Sequence, residues 1–186
     1  MSIVTRLEPV SIDDYLCQEE RGEIRHEYVK GVVYAMVGGT ARHNLITSAI
    51  ASALRLHLKG TPCNVFMSDM KVQTGESFYY PDVMVICKPV DPDSLYQTQP
   101  VLLVEVLSNS TESKDRLEKL VAYQAIPSLK EYILVSQDKV AIDIYRRDRD
   151  VWQLESLTYG DKIRLESVNY QAESETFYED VLSSFS

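Results

Sequence analysis

Residues 81–123 read PDVMVICKPVDPDSLYQTQPVLLVEVLSNSTESKDRLEKLVAY. Two apolar runs, residues 83–87 and 101–107, each carry one carboxylate: Asp82 at the head of the first, Glu105 inside the second. A carboxylate within VLLVEVL is costly to bury unless something pairs with it. Apart from Glu105 the second run is apolar on both pleat faces, as a central strand covered on both sides requires. Ser108, Asn109, Ser110 and Thr111 then offer N-caps for a helix that runs to about residue 126, where Pro127 stops it. Function is to be sought here first.

Working outward, Ser11 followed three residues later by Asp14 opens a helix of about ten residues. Residues 24–30 and 32–37 predict a hairpin that turns at Gly31. A long helix is expected over residues 41–59, stopped by Gly60 and Pro62. His43 lies near its start, and Ile46, Ile50, Ala53, Leu54 and His57 share one stripe. Strands are expected at 64–67, 70–74 and 79–87, with a proline-rich loop over 88–100. Residues 131–136 read as another buried strand, and 140–145 with 151–157 as a hairpin across the charged turn 146–150. A short helix near residues 178–185 closes the chain. The resulting α/β (α+β) order calls for a mixed central β-sheet flanked by helices, with an N-terminal β-hairpin, in one domain.

The 186 residues include 19 Lys and Arg against 28 Asp and Glu, a formal charge of −9. That balance opposes broad attraction to nucleic acid and leaves room for a local basic groove. Three cysteines without a C-x-x-C pair suggest neither a disulfide framework nor a zinc site. With no apolar leader and no run of 18 apolar residues, a soluble cytoplasmic protein without a membrane partner is expected. No Gly-rich phosphate loop and no G-x-S-x-G elbow is present, which argues against nucleotide-binding ATPases and serine hydrolases.

If the strand that Asp82 begins pairs with that of Glu105, both carboxylates converge on one divalent cation. Oxygen-only ligation of this kind suits Mg²⁺ or Mn²⁺. The plainer alternatives are a salt bridge from Glu105 to Lys119 or Lys71, a cross-strand pair of Glu27 with Arg25 or Lys30, and a hydrogen-bonded core role for His43. Tyr79 and Tyr80 could stack on a base, or simply pack as strand residues. On a helical wheel Arg116, Lys119, Tyr123 and Ile126 form one stripe opposite Leu117, Leu120 and Val121, and periodicity does not say which stripe meets the sheet.

Taken in order, Arg25-x-Glu27-x-x-x-Gly31, His43, Pro81-Asp82-Val83, Val104-Glu105-Val106-Leu107-Ser108, Asp115-Arg116-x-x-Lys119-x-x-x-Tyr123 and Glu131-Tyr132-x-Leu134-Val135 resemble the Uma2 family, restriction-endonuclease-like proteins abundant in cyanobacteria. The wider likeness is to the PD-(D/E)XK nuclease superfamily. The superfamily's lysine would stand two residues after the glutamate, where this chain has Leu107; the Uma2-like pattern moves it to the next helix, at Lys119. The resemblance implies Mg²⁺-dependent endonucleolytic hydrolysis of DNA. Asp82 and Glu105 would then be metal ligands, Lys119 would position or help deprotonate water, and Glu27 and His43 would be further site residues. A homodimer is expected from function alone, since cutting both strands commonly takes two sites. The competing reading is a catalytically inactive interaction protein on the same fold.

Overall fold

The computed structural model describes residues 9–36, 38–108 and 115–185. Helix α1 (Ile12–Arg21) begins at Ser11, whose side chain accepts from the Asp14 amide, so the capping residues do what the sequence leads one to expect. Strands β1 (His26–Val29) and β2 (Val32–Ala35) form the hairpin. Its turn needs positive φ at both Lys30 (48°) and Gly31 (95°), the mirror-image turn that matches strand twist. Helix α2 (Ala41–His57), capped by Thr40, follows.

Strands β3 (Asn64–Met67), β4 (Lys71–Thr74), β5 (Ser77–Tyr79) and β6 (Val83–Ile86) come next. The expected single strand over 79–87 is broken at Tyr80–Asp82, because Pro81 cannot donate to a ladder. The break matters: β5 joins one sheet and β6 another. Within the expected loop, Tyr96–Gln97 (β7) pairs parallel to β4. Strand β8 (Leu102–Leu107) is buried at every position. Helix α3 is a π-helical turn, Asp115–Lys119, continuing as α-helix over Leu120–Gln124; Asn109, Ser110 and Thr111 lie outside the described residues. Strands β9 (Glu131–Ser136), β10 (Ala141–Asp148) and β11 (Val151–Thr158) complete the main sheet. A hairpin of β12 (Lys162–Leu165) and β13 (Tyr170–Glu173) follows, then a 3₁₀ turn at Ser174–Tyr178, and a second 3₁₀ turn at Leu182–Phe185 stands where a short helix was expected near residues 178–185.

The expected mixed central sheet flanked by helices is present, and a second multi-stranded sheet stands beside it. A six-stranded sheet runs β11-β10-β9-β8-β6-β3, parallel only at β8–β9, and a five-stranded sheet runs β2-β1-β5-β4-β7. One face of the larger sheet packs Val83, Val85, Val104 and Val106 on Ile46, Ile50 and Leu54 of α2 and on Phe177 and Tyr178 of the C-terminal turns. Its other face packs Met84, Leu103 and Leu107 on Tyr123 of α3, on Ile126 just beyond its end, and on Val72 and Tyr79 of the smaller sheet. The smaller sheet buries Tyr28 and Phe78 against Tyr15 of α1. Beside β3 and β6, Cys63 and Cys87 form a disulfide, contrary to the sequence expectation; 24 residues separate them in the chain, but antiparallel pairing of Asn64 with Ile86 sets them side by side.

Candidate active site

The antiparallel register of β6 on β8 pairs Val83 with Val104, which carries Asp82 alongside Glu105. Asp82 Oδ2 accepts from the Val106 amide at 2.7 Å and lies 3.2 Å from His43 Nε2. The N-terminus of α2 therefore delivers His43 to the site, and the bond to Asp82 raises the imidazole pKa against the opposing effect of burial.

Glu105 projects from the opposite flank of β8, toward α3. Its Oε1 accepts from Lys119 Nζ at 2.9 Å and from the Tyr123 hydroxyl at 2.8 Å. Lys119 Nζ also lies 3.1 Å from Glu27 Oε1 and 3.1 Å from Asp115 Oδ1. Four of the five residues expected at the site, Glu27, Glu105, Lys119 and Asp82, thus come from four different segments, and His43 joins them through Asp82. The structure adds Asp115 and Tyr123, for which the sequence reading had no role. Their signal was present: positions 115, 119 and 123 are spaced by four, one face of a helix.

Burial is nearly complete. Glu105 is 3% exposed, Lys119 5%, Glu27 6% and Asp115 1%. Burial pushes the Glu105 carboxyl well up, and the neighbouring Asp115, Asp82 and Glu27 push it further, while Lys119 opposes them. For Lys119 burial works against the charge, but Glu105, Glu27 and Asp115 together outweigh it, so its pKa rises and the ammonium persists.

Helix α3 resolves the ambiguity of the wheel in the less obvious sense. The stripe bearing Lys119 and Tyr123 faces the sheet, while Leu117 and Val121 are each 70% exposed. Two large apolar side chains are left in water so that one lysine can reach three carboxylates. The π-helical turn at Asp115–Lys119, a form that recurs at functional sites, spans the residues concerned. Arg116 leaves that stripe to pair with Asp143 of β10 at 2.7 Å.

Tyr79 and Tyr80 are buried within the protein. Tyr79 donates to Glu118 and packs on Tyr123, and Tyr80 donates to Glu19, each buried at 3% exposure or less. Packing, in β5 for Tyr79 and in the break after it for Tyr80, accounts for both rings. His57 meets the Val168 carbonyl and the Tyr170 ring, away from the site.

A family model described as "Uma2: Putative restriction endonuclease" matches residues 12–173. The chain belongs to the Uma2 family. Two relatives come from the cyanobacterium Synechocystis. The "uncharacterized protein slr1290" is 37% identical over 173 residues, covering 91% of each chain. The "uncharacterized protein sll1609" is 31% identical over 171 residues, 89% of this chain and 97% of that one. A crystal structure titled as "a putative nuclease belonging to DUF820" from Anabaena variabilis superposes with a TM-score of 0.73 at 17% identity, covering 92% of this chain and 98% of that chain. The nuclease-like fold of this Uma2 chain is therefore shared with that structure. No helix among its described residues is long and apolar enough to cross a membrane.

Proposed function

We propose that this Uma2 chain hydrolyses DNA phosphodiester bonds with the help of a divalent cation, Mg²⁺ or Mn²⁺, held by Asp82 and Glu105. The observation that carries the reading is the inverted helix α3, which buries Lys119 among Glu27, Glu105 and Asp115 while Leu117 and Val121 stay in solvent. Burying the two apolar side chains instead would favour folding by about 1.5–3 kcal/mol each. An arrangement that forgoes this gain is serving something other than stability.

The donor set fits the cation. The hydrogen bonds and ion contacts of Asp82 fall on Oδ2, and those of Glu105 on Oε1, so one oxygen of each carboxylate is unused by any described side-chain or amide partner. Three carboxylates face one ammonium, so local charge admits a further cation and repels a free anion. Among the described residues no three His, Cys, Asp or Glu side chains form a metal-binding group of their own. Mg²⁺ commonly needs no such group, being held by one or two carboxylates together with substrate phosphate and water. When bound, it would supply Lewis-acid polarisation of the phosphoryl group and a lowered pKa for water.

The chain's own residues then have distinct tasks. Val106 N–H and His43 fix Asp82, and Tyr123 and Lys119 fix Glu105. Lys119 has three N–H bonds and three carboxylate neighbours, and its charge is held on by them. It therefore works as a fixed positive charge beside the developing charge of the phosphate and not as the base that deprotonates water.

The test is incubation of the purified chain with plasmid DNA under Mg²⁺. Asp82→Ala and Glu105→Ala should both lose cleavage while melting cooperatively; wild-type cleavage in both sinks the assignment. Thermal denaturation gives a second readout, with Mn²⁺ expected to raise Tm in the wild type and not in Glu105→Gln. No shift at millimolar Mn²⁺ would instead favour an inactive interaction protein.

A further inference from the structure

We infer that the free edge of β11 is an interface, on which β11 of a second copy of this chain pairs antiparallel about a twofold axis at Leu154, joining the two six-stranded sheets into one. The pairing stands on the backbone of β11; only its consequence for the site rests on the nuclease reading.

A sheet edge presents unpaired N–H and C=O groups that template a further strand, and proteins blunt it with very short strands, Lys, Pro or bulges. The two larger sheets end in β2, β3, β7 and β11. Strands β2 and β3 have four residues each and β7 has two, so those edges are short. Strand β11 has eight, VWQLESLT, with neither Lys nor Pro. Its register on β10 is unbroken from Val151–Asp148 to Thr158–Ala141, so no bulge twists it away. Gln153, Leu154, Glu155 and Ser156 are all exposed, Leu154 by 55%.

The direction of each backbone group follows from the register. Thr158 N–H donates to Asp161 Oδ2, and its carbonyl accepts from the Asp161 amide and the Ser174 hydroxyl, so both groups point away from β10. Direction alternates along a strand, so the N–H and C=O groups of Trp152, Leu154 and Ser156 point outward as well. None of these has a hydrogen-bond partner among the described residues. The edge is closed at Thr158 and free from Trp152 to Ser156.

That free edge is complementary to itself. Centred on Leu154, it sets Trp152 opposite the partner's Ser156, Leu154 opposite the partner's Leu154 and Ser156 opposite the partner's Trp152, three pairs that each exchange two hydrogen bonds. A shift of two residues either way leaves only two such pairs, because Thr158 is occupied and Asp150 lies in the turn. The side chains agree with this register. Two leucines face each other, and Gln153 stands opposite the partner's Glu155, a donor against an acceptor. Each Glu155 is already paired with Arg146 of its own chain at 3.2 Å, so the joint gathers no unpaired charge. Such a contact is isologous and closes at two copies. Its axis is perpendicular to the sheet, so the α3 faces of both copies lie on one side. Arg116 donates to Asp143 Oδ2 at 2.7 Å and Ser156 Oγ to Asp143 Oδ1 at 2.6 Å, which ties α3 through β10 to the joint. From β8 to the partner's β8 there are three strand steps within each copy and one across the joint, each about 4.8 Å. The two Glu105 positions therefore stand about 34 Å apart along the sheet, close to one turn of duplex DNA.

The experiment is sedimentation equilibrium of the purified full chain, without DNA or metal. Wild type should be a dimer at micromolar concentration. Leu154→Lys sets two ammonium groups against each other on the axis and should weaken the dimer by about a hundredfold or more. Leu154→Pro removes an N–H that points to the partner and no hydrogen bond within the chain, so it should give a folded monomer by circular dichroism. Leu154→Val should stay dimeric, and so should Val32→Lys, at an exposed position on the edge strand β2. A positional readout comes from mild oxidation in a Cys17→Ser background. Leu154→Cys should cross-link two copies, whereas Val151→Cys should not, because it stands opposite the partner's Leu157. A wild-type monomer, open-ended assembly, a dimer that survives Leu154→Lys, or cross-linking as ready at residue 151 as at 154 overturns the inference. A monomer that cleaves DNA removes the joint alone, whereas a Leu154-dependent dimer without cleavage removes the nuclease reading alone.

Discussion

Lys119 is the residue on which the site turns. It stands 2.9–3.1 Å from three carboxylates in a region with almost no solvent. Its removal leaves uncompensated buried charge, and Lys119→Met should cost about 3–5 kcal/mol of stability at neutral pH. The pH dependence follows with a definite sign. Without the ammonium, the Glu105 carboxyl, already pushed up by burial and by Asp115, Asp82 and Glu27, loses the neighbour that opposes them, so its folded-state pKa stands still further above its unfolded one. Stability is then retained at low pH and lost as pH rises through that value. Tm of Lys119→Met should therefore climb from pH 8 toward pH 5, and a flat or opposite slope would show that the carboxylates do not share this cation. Lys119→Arg is no substitute, because a planar fork cannot meet three acceptors arranged around a point charge.

At the scale of elements, α3 and the β1–β2 hairpin carry separate tests. If α3 turns Leu117 and Val121 to solvent, Leu117→Glu and Val121→Lys should each change stability by less than about 0.5 kcal/mol. A loss of about 2 kcal/mol at either position would mean that the apolar stripe is packed, and the carboxylate cluster around Lys119 would fall with it. Chemical denaturation decides. In the hairpin, Gly31 has φ +95° and a Cβ built there would stand 2.6 Å from Pro9 Cβ. Gly31→Ala should cost at least about 1–2 kcal/mol from backbone strain alone, read as a lower denaturation midpoint. Arg147 plays the complementary part at the other end of α3, donating to the carbonyls of Gln124, Ile126 and Leu129 that end the helix and its turn.

At the scale of the whole molecule, α2, two sheets, α3 and α1 enclose three apolar clusters, and tyrosine hydroxyls lie buried through them. Burial raises the pKa of Tyr15, Tyr80 and Tyr178 above the usual 10.0. A raised tyrosine pKa means that the folded state keeps its proton longer. The associated stability is fully present below about pH 10 and is lost as pH rises further. Thermal melts should be nearly level from pH 8 to 9.5 and fall steeply above that. Tyr178→Phe should flatten the fall while costing something at neutral pH, because its hydroxyl bridges the Ala141 amide and carbonyl.

Local chemistry determined much of this protein. Ser11 and Thr40 act through side chains that cap the next turn, and Gly31 and Pro127 through their own backbone limits, so the first helix, the hairpin and the long helix follow from nearest neighbours. The same holds for Glu105, whose apolar flanks mark a site whatever surrounds them. Three decisions belonged to tertiary structure alone. The strand expected over residues 79–87 runs straight through Pro81, so the sequence reading supplies neither the break there nor the entry of its halves into different sheets. The periodicity of α3 offers two stripes, and only the facing Glu27, Glu105 and Asp115 select the one with the lysine. Cys63 and Cys87 become partners because β3 and β6 pair, a long-range contact with no local signature. The reason is common to all three: burial energy depends on which surfaces meet, and a side chain's sequence neighbours do not specify its neighbours in space.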